Sequence, residues 1–497
     1  MKRLLLQSLL CISLLPITHA NSSQEYKGRV KPRVVVTADP ELDDQNSLIR
    51  YLLYSCDFQT EGLIYASSRW HWKGDGTTTH REIPSGPNES IHLDYDKISE
   101  RWGEGERFIH EMVEAYEKVY PNLVVHDSEY PTPAYLKSKI RFGNITFVGD
   151  MDEDTPGSNL IKSLLLDDNQ KPIYLLAWAG QSTIARALKS IELEYKKSPN
   201  WDSIYEKVCK KAIIQSFSDQ DWTYATYIKP NWPDIEYRQM ATGTWGYDAW
   251  KSIQPEDLKY LSGEWTRDNI SSKGPLGKLY RVWADGQKMK GDESDFFGLS
   301  KTEIINKGIK PWVPIREANA WISEGDTSTF MNLIDNGLRG NENATWGGWG
   351  GRAGVDIAPN GEKNYNYASA RFFADAQNDF AARLQWSMSS EYNQANHAPE
   401  ITFDEQLQMT APPGGTIILS AHVIEPDADS YTVTWWQYKE AGTCSAEVTI
   451  GSPKNLQTVI AIPKNAKNGD IIHLILQVTD NGKPNMTRYK RITISII

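Results

Sequence analysis

Three aspartates and a glutamate fall within six residues in the run Thr37-Ala38-Asp39-Pro40-Glu41-Leu42-Asp43-Asp44. Carboxylates this crowded repel one another unless a cation neutralises them. The set offers only oxygen. That suits a hard divalent ion with roughly six to eight oxygen ligands, Ca2+ above all, and not zinc, which prefers His and Cys. The same spacing also fits a solvated loop whose acids cap a helix N-terminus. The residues alone leave both readings open.

Other residues could add to such a site. Asp219 and Asp221, in Ser218-Asp219-Gln220-Asp221, follow an apolar run at 212–216 and either bind substrate or close a capped turn. Asn159 ends Asp154-Thr155-Pro156-Gly157-Ser158-Asn159, a tight turn before a helix, where it either touches ligand or caps. Trp70, Trp72, Trp346 and Trp349 lie among Gly and polar residues, which favours exposure and stacking on sugar rings over core packing. His71 and His80 have no partner at metal-ligand spacing and read as structural or solvent-facing. Asp427, Asp429 and Asp480 could hold a second calcium, but turn chemistry explains them equally.

The elements that must position these groups follow from periodicity. Arg33-Val-Val-Val-Thr37 is an unalternating β-branched run, the pattern of a strand covered on both faces in a parallel sheet. After Asp44 the apolar Leu48, Ile49, Leu52 and Leu53 recur at helical spacing. Strands are predicted at 62–66, 145–148, 173–178 and 212–216, with a helix over 182–195 and a final one over 367–391. This alternation predicts an α/β domain over 30–395 with a mostly parallel sheet flanked by helices. In such sheets ligands sit beyond the carboxyl ends of the strands, where the acidic loop falls. Residues 69–140 and 222–315 read as long loop insertions walling a cleft. A linker at 393–399 leads to short alternating segments over 399–497, an immunoglobulin-like β-sandwich pattern.

A chain of 497 residues is too long for one core of ordinary size. Residues 1–20 combine Lys2-Arg3, an apolar run from Leu4 to Pro16 and small residues at Thr18 and Ala20, the pattern of a signal peptide cut after Ala20. No later segment approaches about 20 unbroken apolar residues, so the protein is expected to be secreted or periplasmic with no membrane span. Cys56, Cys209 and Cys444 are too few and too scattered for a disulfide scaffold or a Cys-rich zinc site, although one disulfide would be possible. With 64 Asp and Glu against 53 Lys and Arg, no nucleic acid is expected as a partner. Neutral or cationic ligands fit better.

Strand, D-P-x-x-D-D, then amphipathic helix resembles the inosine-uridine nucleoside hydrolases, whose pattern is D-x-D-P-G-x-D-D. The run VVVTADPELDDQNSLIRYLLYS is similar to the nucleoside hydrolase-like domain of a family of secreted bacterial proteins described as cellulose-binding. LLAWAGQSTIARAL (175–188), EGDTSTF (324–330), WGGWGGR (346–352), EPDADSYTVTWWQY (425–438) and QVTDNGKPNMTRYKR (477–491) extend the resemblance over nearly the whole chain after residue 30. The resemblance implies that Asp39, Asp44, the Trp178 carbonyl and Asp326 ligate calcium. Asp43 would bind sugar hydroxyls, and Asp39 would take the proton of the attacking water. Three positions depart from the nucleoside-cleaving pattern: Thr37 replaces an aspartate, Glu41 a glycine, and Gly325 the histidine that helps the base depart. Glu324 is then a candidate acid for the leaving group, against the alternative of an exposed helix-start carboxylate. The function implied is calcium-dependent hydrolysis of glycosyl, including N-glycosyl, bonds of a nucleoside or a cell-wall-derived sugar. The alternative is a non-catalytic binder of cellulose or plant cell-wall glycan on the same fold.

Overall fold

Val34, Val35 and Val36 are buried without alternation, which requires that their strand be covered on both faces. The computed structural model describes residues 30–86, 89–94, 98–240 and 242–497; the expected signal segment 1–20 lies outside them. In chain order the α/β part reads β1 (Arg33–Ala38), α1 (Leu42–Leu53), β2 (Gln59–Tyr65), a hairpin β3–β4 (His80–Gly86 and Glu89–Asp94), α2 (Phe108–His126), α3 (Pro133–Ser138), β5 (Ile140–Phe142), α4 (Pro156–Leu166), β6 (Ile173–Ala177), α5 (Ser182–Tyr195), α6 (Trp201–Lys211), β7 (Ala212–Ser216) and β8 (Glu236–Gln239).

The main sheet has the order β5-β2-β1-β6-β7-β8, and every neighbouring pair in it is parallel. Strand order therefore reverses at β1, with β2 on one side and β6 on the other. A crevice opens at such a switch point, beyond the carboxyl ends of the strands. The loop at 39–44 leaves β1 into that crevice, and Trp178 leaves β6 beside it. The Trp178 amide donates to the Thr37 carbonyl at 2.9 Å, which ties the two strand ends together.

Helix α1 is buried along its whole length. Asn46 and Arg50 on it are tied to distant segments. The Asn46 amide donates to the carbonyls of Arg281 and Ser323 at 3.1 and 3.0 Å, and its oxygen accepts from the Arg281 amide at 2.7 Å. Arg50 pairs with Glu324 through Nε and Nη2, donates to Gln377 and lies 3.8 Å from the centre of the Phe380 ring. These contacts bring segment 323–326 against the acidic loop.

Several expectations are corrected. The segment 145–148 is not a strand; the edge strand is β5, and Phe147 and Val148 pack in a small separate cluster with Trp72. Residues 69–140 are not a plain loop insertion. They contain the β3–β4 hairpin, α3 and the long helix α2, whose Phe108, Ile109, Met112, Val113, Tyr116, Val119 and Leu123 form a buried stripe. Residues 222–315 are not a plain loop insertion either: they hold β8, the edge strand of the main sheet, and short helical turns. There Trp283, Met289, Phe296 and Phe297 make a core of their own with Leu42. The last helix is split into Tyr367–Ala370 and Phe373–Trp386.

The C-terminal part is a β-sandwich. One sheet holds Glu400–Phe403, Thr416–Ile424, Gln457–Ala461 and Thr449–Ile450; the other holds Gln408–Ala411, Thr487–Ile496, Ile471–Asp480 and Tyr431–Gln437. Its Tyr438, Ile475, Met486 and Tyr489 join the core that contains Phe372 and Phe373, and Lys31–Ile497 forms one compact unit. Cys209 and Cys444 are free thiols. Among the described residues no helix is long and apolar enough to cross a membrane.

Candidate active site

Asp39, at the end of β1, is fully buried. Its Oδ2 accepts from Ser68 Oγ at 2.5 Å and lies 3.1 Å from His71 Nδ1, at ion-pair distance but off the hydrogen-bonding direction. Its Oδ1 is buried and bare. The Asp39 amide donates to Asp44 Oδ1 at 3.1 Å, which folds the loop back on itself. Asp43 accepts from Ser323 Oγ at 3.2 Å through Oδ2, and its Oδ1 is also buried without a partner. Glu41, Asp43 and Asp44 bring carboxylate oxygens within 4.8 Å of one another, as do the ligating atoms of Asp39, Glu41 and His71. The Trp178 carbonyl accepts from Gln220 Nε2 at 2.5 Å, which leaves one of its two lone pairs free.

Of this cluster Glu41, Asp43, Asp44, Trp178 and Gln220 line a cavity of about 650 Å³, and Asp39 and His71 are not among its lining residues. Glu41, Asp43, Asp44, Asp248, Asp292, Asp295 and Asp326 contribute carboxylates to its wall, against a single Arg101. Trp70, Phe217, Tyr247, Phe297 and Trp312 supply aromatic faces, with Trp70 39% and Trp312 63% exposed at the rim.

Electrostatics match the geometry. Lost hydration, and then Asp326, Asp39, Asp43 and Glu41, hold the Asp44 carboxyl well above its ordinary value. Asp326 is raised as strongly by burial and then by Asp43, Asp39 and Glu41. Burial followed by Asp39 pushes Asp43 up to about 6, and burial followed by Asp43 pushes Glu41 up to about 8, although a quarter of the Glu41 side chain stays in solvent. Burial pulls His71 down, but Asp39 and Glu41 outweigh it and the net shift is upward. Carboxylates so placed keep protons unless a cation takes their place. The bare oxygens of Asp39 and Asp43 and the all-oxygen set of Asp39, Asp44, Asp326 and Trp178 fit a hard divalent ion.

The model of the cellulose-binding Sde182 nucleoside hydrolase-like domain matches residues 33–353, and that of the cellulose-binding protein Sde0182 C-terminal domain matches 416–496. The chain belongs to the Sde182 nucleoside hydrolase-like family. A solved structure from Saccharophagus degradans, a nucleoside hydrolase-related hypothetical protein associated with carbohydrate metabolism, is 25% identical, with TM-score 0.70 over 94% of this chain and 100% of that one. A PKD domain of human KIAA0319 matches 20% of this chain and 82% of its own length at 12% identity and TM-score 0.16, too low to argue from. No curated protein matches the chain.

Within this Sde182-type fold the sequence-predicted residues divide. Asp39, Asp43, Asp44, Trp178 and Asp326 come together. Trp349 does not join them: it is fully buried, and the glycines beside it, read as a sign of exposure, instead allow close packing, Gly348 and Gly350 lying against Asn332. Trp72 is buried as well, so of the four tryptophans singled out only Trp70 reaches the cavity. Asp221 is buried in a turn, accepting from the amides of Ser182 and Thr223 at 2.8 and 3.1 Å, and Gly180 is packed so closely on it that a Cβ there would lie 2.3 Å from Oδ2. Asp219 accepts from the amides of Tyr224 and Ala225. Asn159 is exposed in the first turn of α4 and is not among the cavity's lining residues.

Glu324 is neither an exposed carboxylate nor a free acid. It is wholly buried, paired with Arg50, and accepts from Tyr280. Gly325 packs on the acidic loop, and a Cβ there, 2.6 Å from Asp43 Oδ2, would displace that carboxylate. His71, read as structural or solvent-facing, is buried against Asp39. Gln220 and Trp312 were not singled out as site residues. Trp312 carried a signal related to that of Trp70, an indole among polar and turn-forming residues, here Lys310, Pro311 and Pro314.

Proposed function

We propose that this chain is a calcium-dependent hydrolase of glycosyl bonds, acting on a nucleoside or a cell-wall-derived sugar. The observation that supports it best is a buried carboxylate cluster with bare oxygens on Asp39 and Asp43, of which Asp43, Asp44 and Asp326 line an aromatic-walled cavity. Asp39, Asp44, Asp326 and the Trp178 carbonyl would hold the ion. When bound, calcium would supply Lewis acidity and orient vicinal sugar hydroxyls. Ser68 and His71 fix Asp39 through Oδ2, which leaves Oδ1 free to take a proton from a water attacking the anomeric carbon. Asp43 accepts from a sugar hydroxyl. Trp70 and Trp312 offer stacking faces for sugar rings at the rim. The acidic wall favours neutral or cationic glycosides over phosphorylated ones.

The family description and the sequestered Glu324 favour a second reading, a cellulose or cell-wall glycan binder without turnover. Assaying nucleosides, arabinofuranosides and plant polysaccharides with calcium and with EGTA separates the two. Calcium-dependent release of sugar supports the hydrolase, and binding without turnover across the panel supports the binder. Either role fits a protein exported by a signal peptide cut after Ala20, which N-terminal sequencing of the mature chain tests.

A further inference from the structure

A second group of bare oxygens lies where the linker meets the β-sandwich. Asn396, 6% exposed, follows the helix Phe373–Trp386 and precedes the first sandwich strand. Its Nδ2 donates to Asp480 Oδ1 at 3.1 Å and to the Pro484 carbonyl at 2.8 Å, while its Oδ1 is buried with no partner. Asp480, 4% exposed, shows the same division. Oδ1 accepts from the amides of Gly482 and Met486 at 3.0 and 2.9 Å, and Oδ2 is buried and bare. Glu425 repeats it, with Oε1 accepting from the Asp427 amide at 3.3 Å and Oε2 buried and bare. Gly482 lies so close to the Asn396 side chain that a Cβ there would stand 2.1 Å from Oδ1.

The charges here are of one sign. After burial, the groups that raise the Glu425 carboxyl, to about 7, are Asp480, Asp427 and Asp429. Asp427 is also held by the His397 amide at 2.6 Å, so the linker and the loop 425–429 are already joined. A buried oxygen without a donor costs about 1–3 kcal/mol, and three at one junction call for a common partner. No sulfur or nitrogen ligand takes part, which selects a hard ion over a transition metal.

We propose that Asn396 Oδ1, Asp480 Oδ2 and Glu425 Oε2 hold a calcium ion that fastens the linker to the β-sandwich. The site shares no residue with the α/β site and does not depend on its chemistry. The test is calcium titration of the full chain by calorimetry, with Asp44→Ala removing the first site and Glu425→Gln the second. Asp44→Ala is expected to retain one ion with Kd of about 10⁻⁵–10⁻³ M. Terbium in its place should luminesce on excitation of Trp386, whose Nε1 donates to the Asn396 carbonyl at 2.8 Å. Adding Glu425→Gln, or Asp429→Asn as a milder variant that removes a charge acting on Glu425, should weaken that binding at least about tenfold.

If the α/β site holds no calcium, the native chain binds one ion and only Glu425→Gln and Asp429→Asn reduce it, so the two claims fail separately. Absence of calcium binding by the folded Asp44→Ala chain overturns the proposal. So does a binding constant that neither Glu425→Gln nor Asp429→Asn changes.

Discussion

Asp43 gives the sharpest test of the electrostatics at the α/β site. Without a cation, burial and then Asp39 raise its carboxyl from the ordinary 3.8 to about 6. That difference corresponds to roughly 3 kcal/mol of folding free energy. The sign follows from the direction. The folded chain holds this proton more tightly than the unfolded one, so the contribution is complete below about pH 3.8 and is lost as pH rises through about 6. Asp43→Asn keeps the shape and removes the titration.

The assay is thermal unfolding of both proteins in EGTA between about pH 4 and about pH 7. Asp219, raised to about 6, and Glu425, raised to about 7, titrate alike in both and cancel in the difference, whereas Glu41, Asp44 and Asp326, which Asp43 helps to raise, add to the variant's gain in the same direction. Across that range the variant should gain at least roughly 3 kcal/mol relative to the native protein, about 3 °C for a cooperative unit of this size. Saturating calcium should shrink or invert the gain, because the ion offsets the repulsion that the variant relieves. A constant difference across the range in EGTA would show that Asp43 is not held in the crowded acidic field described.

Further outcomes follow from the same contacts. Asp39→Asn should lower turnover by about 10²–10⁴ while ligand binding stays measurable by calorimetry; full activity would remove Asp39 from the role of base. Glu324→Gln leaves the Arg50 guanidinium buried without its counter-ion and should cost about 3–5 kcal/mol in denaturant unfolding. Trp70→Ala or Trp312→Ala should weaken glycan binding by about 0.5–1.5 kcal/mol with little change in melting temperature. Trp349→Ala should instead lower stability by about 3–5 kcal/mol, because its ring is core.

The central strands were legible because burial on two faces leaves a plain mark, and the runs at β1, β6 and β7 are apolar without alternation. The acidic loop was legible because four carboxylates in six residues have few explanations. Helix α2 was missed although its apolar residues recur at helical spacing; Pro121 inside it and the Trp- and Gly-rich stretch before it obscured the period. His71 was missed for a different reason. Its partner Asp39 is 32 residues away on another strand end, and only the parallel pairing of β1 with β2 brings them together. Trp349 was misread because glycine neighbours signal both exposure and close backbone packing. Gly350 there leaves no room for a side chain, its Cβ position being 2.5 Å from the Ser328 carbonyl. The Arg50–Glu324 pair spans 274 residues and has no local signal at all.

The most direct measurement is a crystal structure of the full chain grown in calcium, with the ion identified by its anomalous signal. A calcium ion bound by Asp39, Asp44, Asp326 and the Trp178 carbonyl, with oxygens at about 2.3–2.6 Å, is the expected result. Only ordered water among these residues, with no anomalous peak between them, would contradict the account.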